Sequence, residues 1–274
     1  MRGGDKRAGD KRGGDAHNGR RTMHAPAASP IDPDLLLSAY RAGIFPMADA
    51  RDDPEVFWVE PRRRAILPLD GFRLSASLAR TLRRERFSVT CNAAFDAVIE
   101  ACAQAREGRN ETWISGRIAA SYRELHRLGW AHSIECWQDG EMVGGLYGVG
   151  FDRVFCGESM FSVARDASKV ALAWLVAALR RGGTTLLDCQ FMTDHLASLG
   201  AVEIDQAEYL ARLRAAQAGV AAGLGAAVGE GAGLGEGAAL GLPAGFAAVL
   251  AEAAALGVAS SPGKRIAQSL THTS

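Results

Sequence analysis

The chain has 274 residues, 48% of them hydrophobic and 23% charged, with Lys+Arg and Asp+Glu both at 31. That is enough apolar chain to bury a core in one large or two modest domains, and the balanced charge excludes a whole-molecule attraction to a polyanion. Cys91, Cys102, Cys136, Cys156 and Cys189 are odd in number and lack the short paired spacing of zinc ligands, and the six histidines show no metal-ligand spacing either. Reduced, mostly buried thiols and no bound metal are expected.

Residues 1–30 repeat Gly-Asp-Lys-Arg at positions 4–7 and 9–12 and show no apolar periodicity, so a disordered leader is expected, with Met23 as the expected start of translation. No apolar core of a signal peptide and no run of roughly 18 apolar residues occurs, which points to the cytoplasm and away from a membrane. Residues 31–86 form a first unit: a helical start at Leu35, Leu36, Leu37 and Tyr40, a loop through Gly43-Ile44-Phe45-Pro46, and the aromatic segment Phe57-Trp58-Val59-Glu60-Pro61. From Arg62 to Arg86 eight arginines face only Asp70 and Glu85, a local basic excess within a neutral chain.

A second unit spans 87–214. It opens with a strand at 87–90, then helices carrying Phe95, Val98, Ile99 and Cys102, and Ile118, Tyr122 and Leu125, at helical spacing. Strands at 132–137 and 142–149 flank Asp139-Gly140, a type I′ hairpin signal. Gly144, Gly145, Gly148 and Gly150 have the wrong spacing and setting for a dinucleotide fingerprint, and are expected to let a substrate backbone approach the sheet.

Phe155 to Phe161 reads as a strand that ends by exposing Glu158 and Met160 together. A helix from Asp166, at the expected N-cap, to Arg181 follows, and then a strand through Thr184-Thr185-Leu186-Leu187-Asp188-Cys189-Gln190. Such a strand-helix-strand crossover makes the two strands parallel, in an α+β or α/β-like architecture. Alternation puts Asp188 and Gln190 on one face and Cys189 on the other, at the carboxyl end of the strand where open sheets hold ligands. Cys189 is thereby expected to be a packed thiol, and His195 to brace the following loop. Residues 215–274 are dominated by Ala and Gly through Val258 and read as a low-complexity tail; its uncharged stretches at 215–229 and 237–251 are too short and glycine-rich to span a membrane.

Several motifs occur in one order: Tyr40-Arg41-Ala42-Gly43-Ile44-Phe45-Pro46, Trp58 with Pro61-Arg62, Thr112-Trp113-Ile114, His132-Ser133-Ile134-Glu135, Gly144 to Gly148, Phe155 to Ser162, Ala167-Ser168-Lys169, Asp188-Cys189-Gln190 and Ala197 to Ala201. Over residues 32–214 the chain resembles the bacterial leucyl/phenylalanyl-tRNA–protein transferases. Met47, Val59-Glu60, Leu146, Leu175 and Thr193 depart from the residues common in that family.

The resemblance implies a small N-terminal domain joined to an acetyltransferase-like (GNAT) domain that uses aminoacyl-tRNA instead of acetyl-CoA and needs no cofactor. The acetyl-CoA phosphate-loop pattern is missing ahead of the helix at 166. It implies transfer of Leu, Phe or Met to the N-terminal Arg or Lys of a protein, which is thereby marked for degradation, by a monomeric enzyme.

The attacking α-amine, with a pKa of about 8, must lose a proton. Gln190 is expected to orient it, Asp188 to orient and polarise Gln190, and Glu158 to hold the cationic acceptor or its amine. Trp58 and Trp113 would stack on the terminal adenine for about 1 to 3 kcal/mol per base. Met160, Leu146 and Leu175 would line the pocket for the transferred side chain, and Arg80, Arg83, Arg84 and Arg86 would grip tRNA phosphates. An acyl-CoA-dependent acetyltransferase and a non-catalytic tRNA- or degron-binding module share parts of this pattern.

Overall fold

The computed structural model describes residues 29–104, 112–224, 241–255 and 261–271. Residues 1–28, with the expected start Met23, and the middle of the Ala/Gly-rich segment lie outside the described residues.

The first helix, α1 (Pro33–Arg41), starts where Asp32 accepts the Asp34 and Leu35 amides at 3.0 Å and Pro33 supplies a preset φ at the first turn. It buries Leu36, Leu37 and Tyr40. A two-stranded ribbon follows, β1 (Phe45–Met47) antiparallel to β2 (Phe57–Val59), with Pro46 opposite Trp58. Next come β3 (Arg63–Ile66), α2 (Ala76–Arg83, capped by Ser75), β4 (Ser88–Cys91), α3 (Phe95–Ala103) and α4 (Gly116–Arg127). The hairpin β5 (Ala131–Gln138) and β6 (Glu141–Phe151) turns at Asp139 and Gly140, whose φ values of 53° and 83° are those a type I′ turn requires. The chain continues through β7 (Val154–Ser162), α5 (Ala167–Arg181), β8 (Leu186–Gln190), α6 (Asp194–Ser198), β9 (Val202–Asp205), α7 (Gln206–Leu224), α8 (Leu242–Ala255) and α9 (Pro262–Thr271).

The main sheet has seven strands in the order β4-β5-β6-β7-β8-β3-β9, and its only parallel pair among the described residues is β7 with β8. Helices cover both faces, giving an α+β architecture with two apolar clusters. One is built on α5 and includes Leu146, Phe155, Leu172, Leu175 and Leu187; the other, built on α1, α3 and α4, includes Tyr40, Phe95, Tyr122, Tyr147 and Cys156. No described helix is long and apolar enough to cross a membrane.

Three local features differ from the expectations. Strand β3, inside the segment assigned to the small N-terminal unit, is built into the main sheet between β8 and β9, because its apolar Ala65-Ile66 finds partners there. Asp166 does precede α5, but at φ 70° and with no capping bond from its side chain.

The third feature is the tail, where α7 runs on to Leu224 and α8 and α9 pack on α5 and α2. Small residues allow this packing. A Cβ on Gly245 would sit 1.9 Å from the Ala178 carbonyl oxygen, so α8 lies backbone to backbone on α5, with Phe246 and Trp174 ring centroids 5.2 Å apart. Alanine and glycine here make a close helix contact rather than a structureless run. Gly245→Val is therefore expected to push α8 off α5 and cost about 1–3 kcal/mol, read as a lower thermal unfolding midpoint.

Candidate active site

Strands β7 and β8 pair only from Val154↔Leu186 to Cys156↔Asp188. Beyond that point they separate, and the seam between them opens into a cavity of about 520 Å³. Its apolar wall comes from Leu146, Met160, Leu172, Leu175 and Leu187, with Glu158 and Gln190 as polar groups of the two diverging strands. Five of the residues singled out in the sequence (Glu158, Gln190, Met160, Leu146 and Leu175) thus line one space.

Glu158 reaches its position through a β-bulge. Tyr147 pairs with Ser159 while Gly148 pairs with Gly157, so Glu158 is the extra residue of β7. The bulge inverts the face parity: Phe155 packs in the α5 cluster and Phe161, six positions on, in the opposite one. Simple alternation had put Glu158 and Met160 on the same face. Instead Met160 packs against the α5 cluster, while the Glu158 carboxylate turns towards α1 and α4 and accepts from Tyr40 (2.8 Å) and Tyr122 (3.0 Å). Gly148 makes this possible, since a Cβ there would lie 2.3 Å from the Cys156 carbonyl oxygen. Its small size therefore serves the protein's own backbone rather than a substrate.

Asp188 is completely buried and fully committed. Its Oδ1 accepts from Arg64 Nε and from the Gln190 backbone amide, both at 2.9 Å; its Oδ2 accepts from Arg64 Nη2 at 2.5 Å and Tyr209 at 3.0 Å. The Arg64 guanidinium lies between the Phe45 ring (4.7 Å) and the Tyr209 ring (4.4 Å) and also donates to the Gly43 carbonyl at 3.1 Å. Burial works against this cation, but the facing Asp188 carboxylate outweighs it and the net shift is upward, so Arg64 stays charged.

Gln190 sits at φ 55°, a left-handed conformation held in place by the hydrogen bond that its backbone amide donates to Asp188. Its side-chain Nε2 donates to Glu158 Oε1 at 3.0 Å. Glu158, rather than Asp188, therefore aims the Gln190 amide, while Asp188 anchors the backbone beneath it. Burial raises the Glu158 pKa to about 7, against the lowering influence of the Tyr40 and Tyr122 hydrogen bonds. Cys189 packs against the α5 cluster and also lines the cavity, and burial pushes its thiol upward, which makes it a poor nucleophile.

Sequence reasoning missed Arg64, Tyr40, Tyr122 and Tyr209 as parts of the site. For Arg64 a signal existed: it shares strand parity with buried Ile66, so one arginine of the Arg62–Arg64 run had to point inward and find an anion.

The remaining expected residues lie apart from the cavity. Trp58 is 42% exposed on β2, Trp113 is half-buried with its carbonyl accepting from the Ala48 amide at 3.2 Å, and neither lines the cavity. Trp58 belongs to the β1–β2 ribbon and Trp113 borders it, and from that ribbon Phe45 meets cavity-lining Phe191 edge to face at 5.7 Å. Arg80, Arg83, Arg84 and Arg86 are all exposed along and just after α2, with no ion pair among the described residues. They form an exposed basic surface outside the cavity.

Comparison with known proteins agrees over nearly all the described chain. Residues 66–214 match the family leucyl/phenylalanyl-tRNA protein transferase, and residues 29–62 match the N-terminal domain of the same family. The leucyl/phenylalanyl-tRNA–protein transferase of Novosphingobium aromaticivorans is 67% identical over 258 residues, covering 89% of this chain and 97% of that protein. The protein of the same name from Rhizorhabdus wittichii is 60% identical, covering 70% of this chain and 77% of the relative. Among solved structures, the structure of L-PGS from Bacillus licheniformis is similar at a TM-score of 0.34 and 12% identity, over 62% of this chain and 56% of that one; so slight a likeness carries no weight. On the family matches and the 67% identity along most of its length, the chain belongs to the leucyl/phenylalanyl-tRNA protein transferase family of enzymes.

Proposed function

We propose that the enzyme moves Leu, Phe or Met from aminoacyl-tRNA to the N-terminal Arg or Lys of a protein, marking it for degradation, and that it works in the cytoplasm as a monomer. One observation carries this reading: an apolar cavity of about 520 Å³ ends at a carboxylate and an amide that are hydrogen-bonded to each other. The apolar wall suits an aliphatic side chain without a β-branch, or an aromatic one. A single methylene discriminates by only about 1 to 3 kcal/mol, so such a wall accepts Leu, Phe and Met to different degrees.

The reaction joins an amine to an ester carbonyl, and little covalent chemistry falls to the protein beyond placement and proton handling. With its Nε2 committed to Glu158, Gln190 keeps its carbonyl oxygen to accept from the acceptor's amine and orient the lone pair. Asp188 acts one step removed, through the Gln190 backbone, and is a positioning residue. The exposed arginines of α2 supply phosphate contacts without base readout, and Trp58 and Trp113 offer stacking for the terminal adenine.

The test uses radiolabelled Leu-, Phe- and Met-tRNA with a protein that begins with Arg, and the same protein beginning with Ala. Transfer should require the N-terminal Arg, and Gln190→Ala should lower it by about 100-fold while tRNA binding persists. A folded wild-type protein that binds tRNA and transfers none of the three would overturn the proposal.

A further inference from the structure

Tyr40, Tyr122 and Glu158 form a closed triangle of oxygens. The two phenol oxygens are 2.5 Å apart, Tyr40 is 2.8 Å from Glu158 Oε1, and Tyr122 is 3.0 Å from Glu158 Oε2. Each of these three contacts needs one proton between its oxygens to be a hydrogen bond. The phenols supply two, so an ionised Glu158 leaves one short contact with no proton. A protonated Glu158 completes the ring: Oε2–H donates to Tyr122, Tyr122 to Tyr40, and Tyr40 to Oε1, which still accepts from Gln190 Nε2.

We infer that Glu158, closed into a ring with Tyr40 and Tyr122, is the proton acceptor for the attacking amine. The inference rests on the transfer reading above and adds to it the destination of the proton. Uptake of the proton converts an open two-bond arrangement into a closed three-bond one, so the carboxylate gains a hydrogen bond as it loses its charge. Both changes favour uptake in a buried setting.

The surrounding groups leave Glu158 as the member of the ring that titrates. Tyr40 and Tyr122 are buried, and burial first, then the charge of Glu158, pushes both phenols well above their ordinary range. Tyr147, from β6, lies edge to face with Tyr122 at 5.4 Å, and burial raises its hydroxyl as well. Cys156 on β7 is pushed up by burial. From β8 and β3, Asp188 opposes and Arg64 favours ionisation of Glu158, and the two are tied to each other; Tyr209 from α7 donates to Asp188. Glu158 itself, at about 7, lies close below the amine of about 8 that it must relieve.

The step balances as follows. One ammonium N–H proton passes to Glu158, and the freed lone pair forms the C–N bond at the ester carbonyl. The C–O bond to the terminal ribose then breaks, and its oxygen leaves with the electron pair and takes the second amine proton. Glu158 returns its proton to water when the product departs.

The experiment combines two readouts. Infrared difference spectra taken across pH should show the carbonyl band of a protonated carboxylic acid, fading through about pH 7 and absent from Glu158→Gln. Single-turnover transfer from Phe-tRNA to a peptide beginning with Arg should show an acidic limb with the same midpoint. Glu158→Gln should lose that limb and about 100-fold in rate at unchanged tRNA affinity. Its amide supplies one donor and one acceptor to the tyrosines, as the acid does, so the ring and the fold are kept.

A wild-type protein that transfers but lacks the band, or a Glu158→Gln variant within about threefold of wild type, would overturn the ring as proton acceptor. A wild-type protein that shows the band but transfers nothing overturns the transfer reading, and the acceptor role with it.

Discussion

Arg64→Met is expected to lower stability by about 3–5 kcal/mol and to abolish transfer, because it leaves Asp188 charged in a site with no access to water. Three consequences follow from the geometry. Asp188 loses a bidentate partner at 2.9 and 2.5 Å, the Gly43 carbonyl loses a donor at 3.1 Å, and the rings of Phe45 and Tyr209 lose the flat cation between them. Lysine is no substitute, since a point charge cannot reproduce the planar fork.

The double variant Arg64→Met, Asp188→Leu removes both charges and should recover most of the stability, as replacement of a buried ion pair by apolar residues commonly does. It should not recover transfer, because Gln190 then has no acceptor for the backbone amide that holds it at φ 55°. Chemical denaturation of the single and double variants, together with the transfer assay, separates the two effects. Full activity in the double variant would show that Asp188 plays no part in placing Gln190.

Wild-type stability should fall as pH rises from about 4.5 to about 7, and the Glu158→Gln variant should lack that component. The sign follows from the direction of the shift: Glu158 has a higher pKa folded than unfolded, so the folded state holds the proton more tightly. That contribution is complete below the unfolded value and is lost as pH passes through about 7. A full shift of this size corresponds to about 3 kcal/mol, and because Glu158 borders an open cavity about 1–3 kcal/mol is expected. Unfolding midpoints of both proteins across that interval provide the measurement. Parallel curves would mean that Glu158 titrates normally in the folded protein.

Much of the site was legible from local pattern. The crossover from β7 through α5 to β8 follows from an apolar strand, a helical apolar surface and a glycine stop, and it alone brings Glu158 and Gln190 to one seam. Strand alternation separated Cys189 from Asp188, although β8 is irregular at its end: against β3, Cys189 is an extra residue between Asp188 and Gln190, and Gln190 turns to φ 55°. The same rule failed on β7, where one extra residue at the bulge reversed the face of Glu158 relative to Met160. Only the register against β6 reveals it, and that register depends on a partner strand and on the room left by Gly148.

The motif order, the amphipathic helices, the hairpin turn and the residue types of the cavity are properties of short stretches, where propensity, period and turn chemistry act within a few residues. The chain by itself determined these. Tertiary structure decided the rest: that Arg64, outwardly one of a run of arginines, is the buried partner of an aspartate 124 positions away, that Tyr40 and Tyr122 from two helices meet on Glu158, and that part of an alanine- and glycine-rich segment packs as helices on α5. A buried charge or phenol is bound to find a partner, but which partner it finds depends on the contacts that form when distant elements close on the core, and those leave no periodic trace in the sequence.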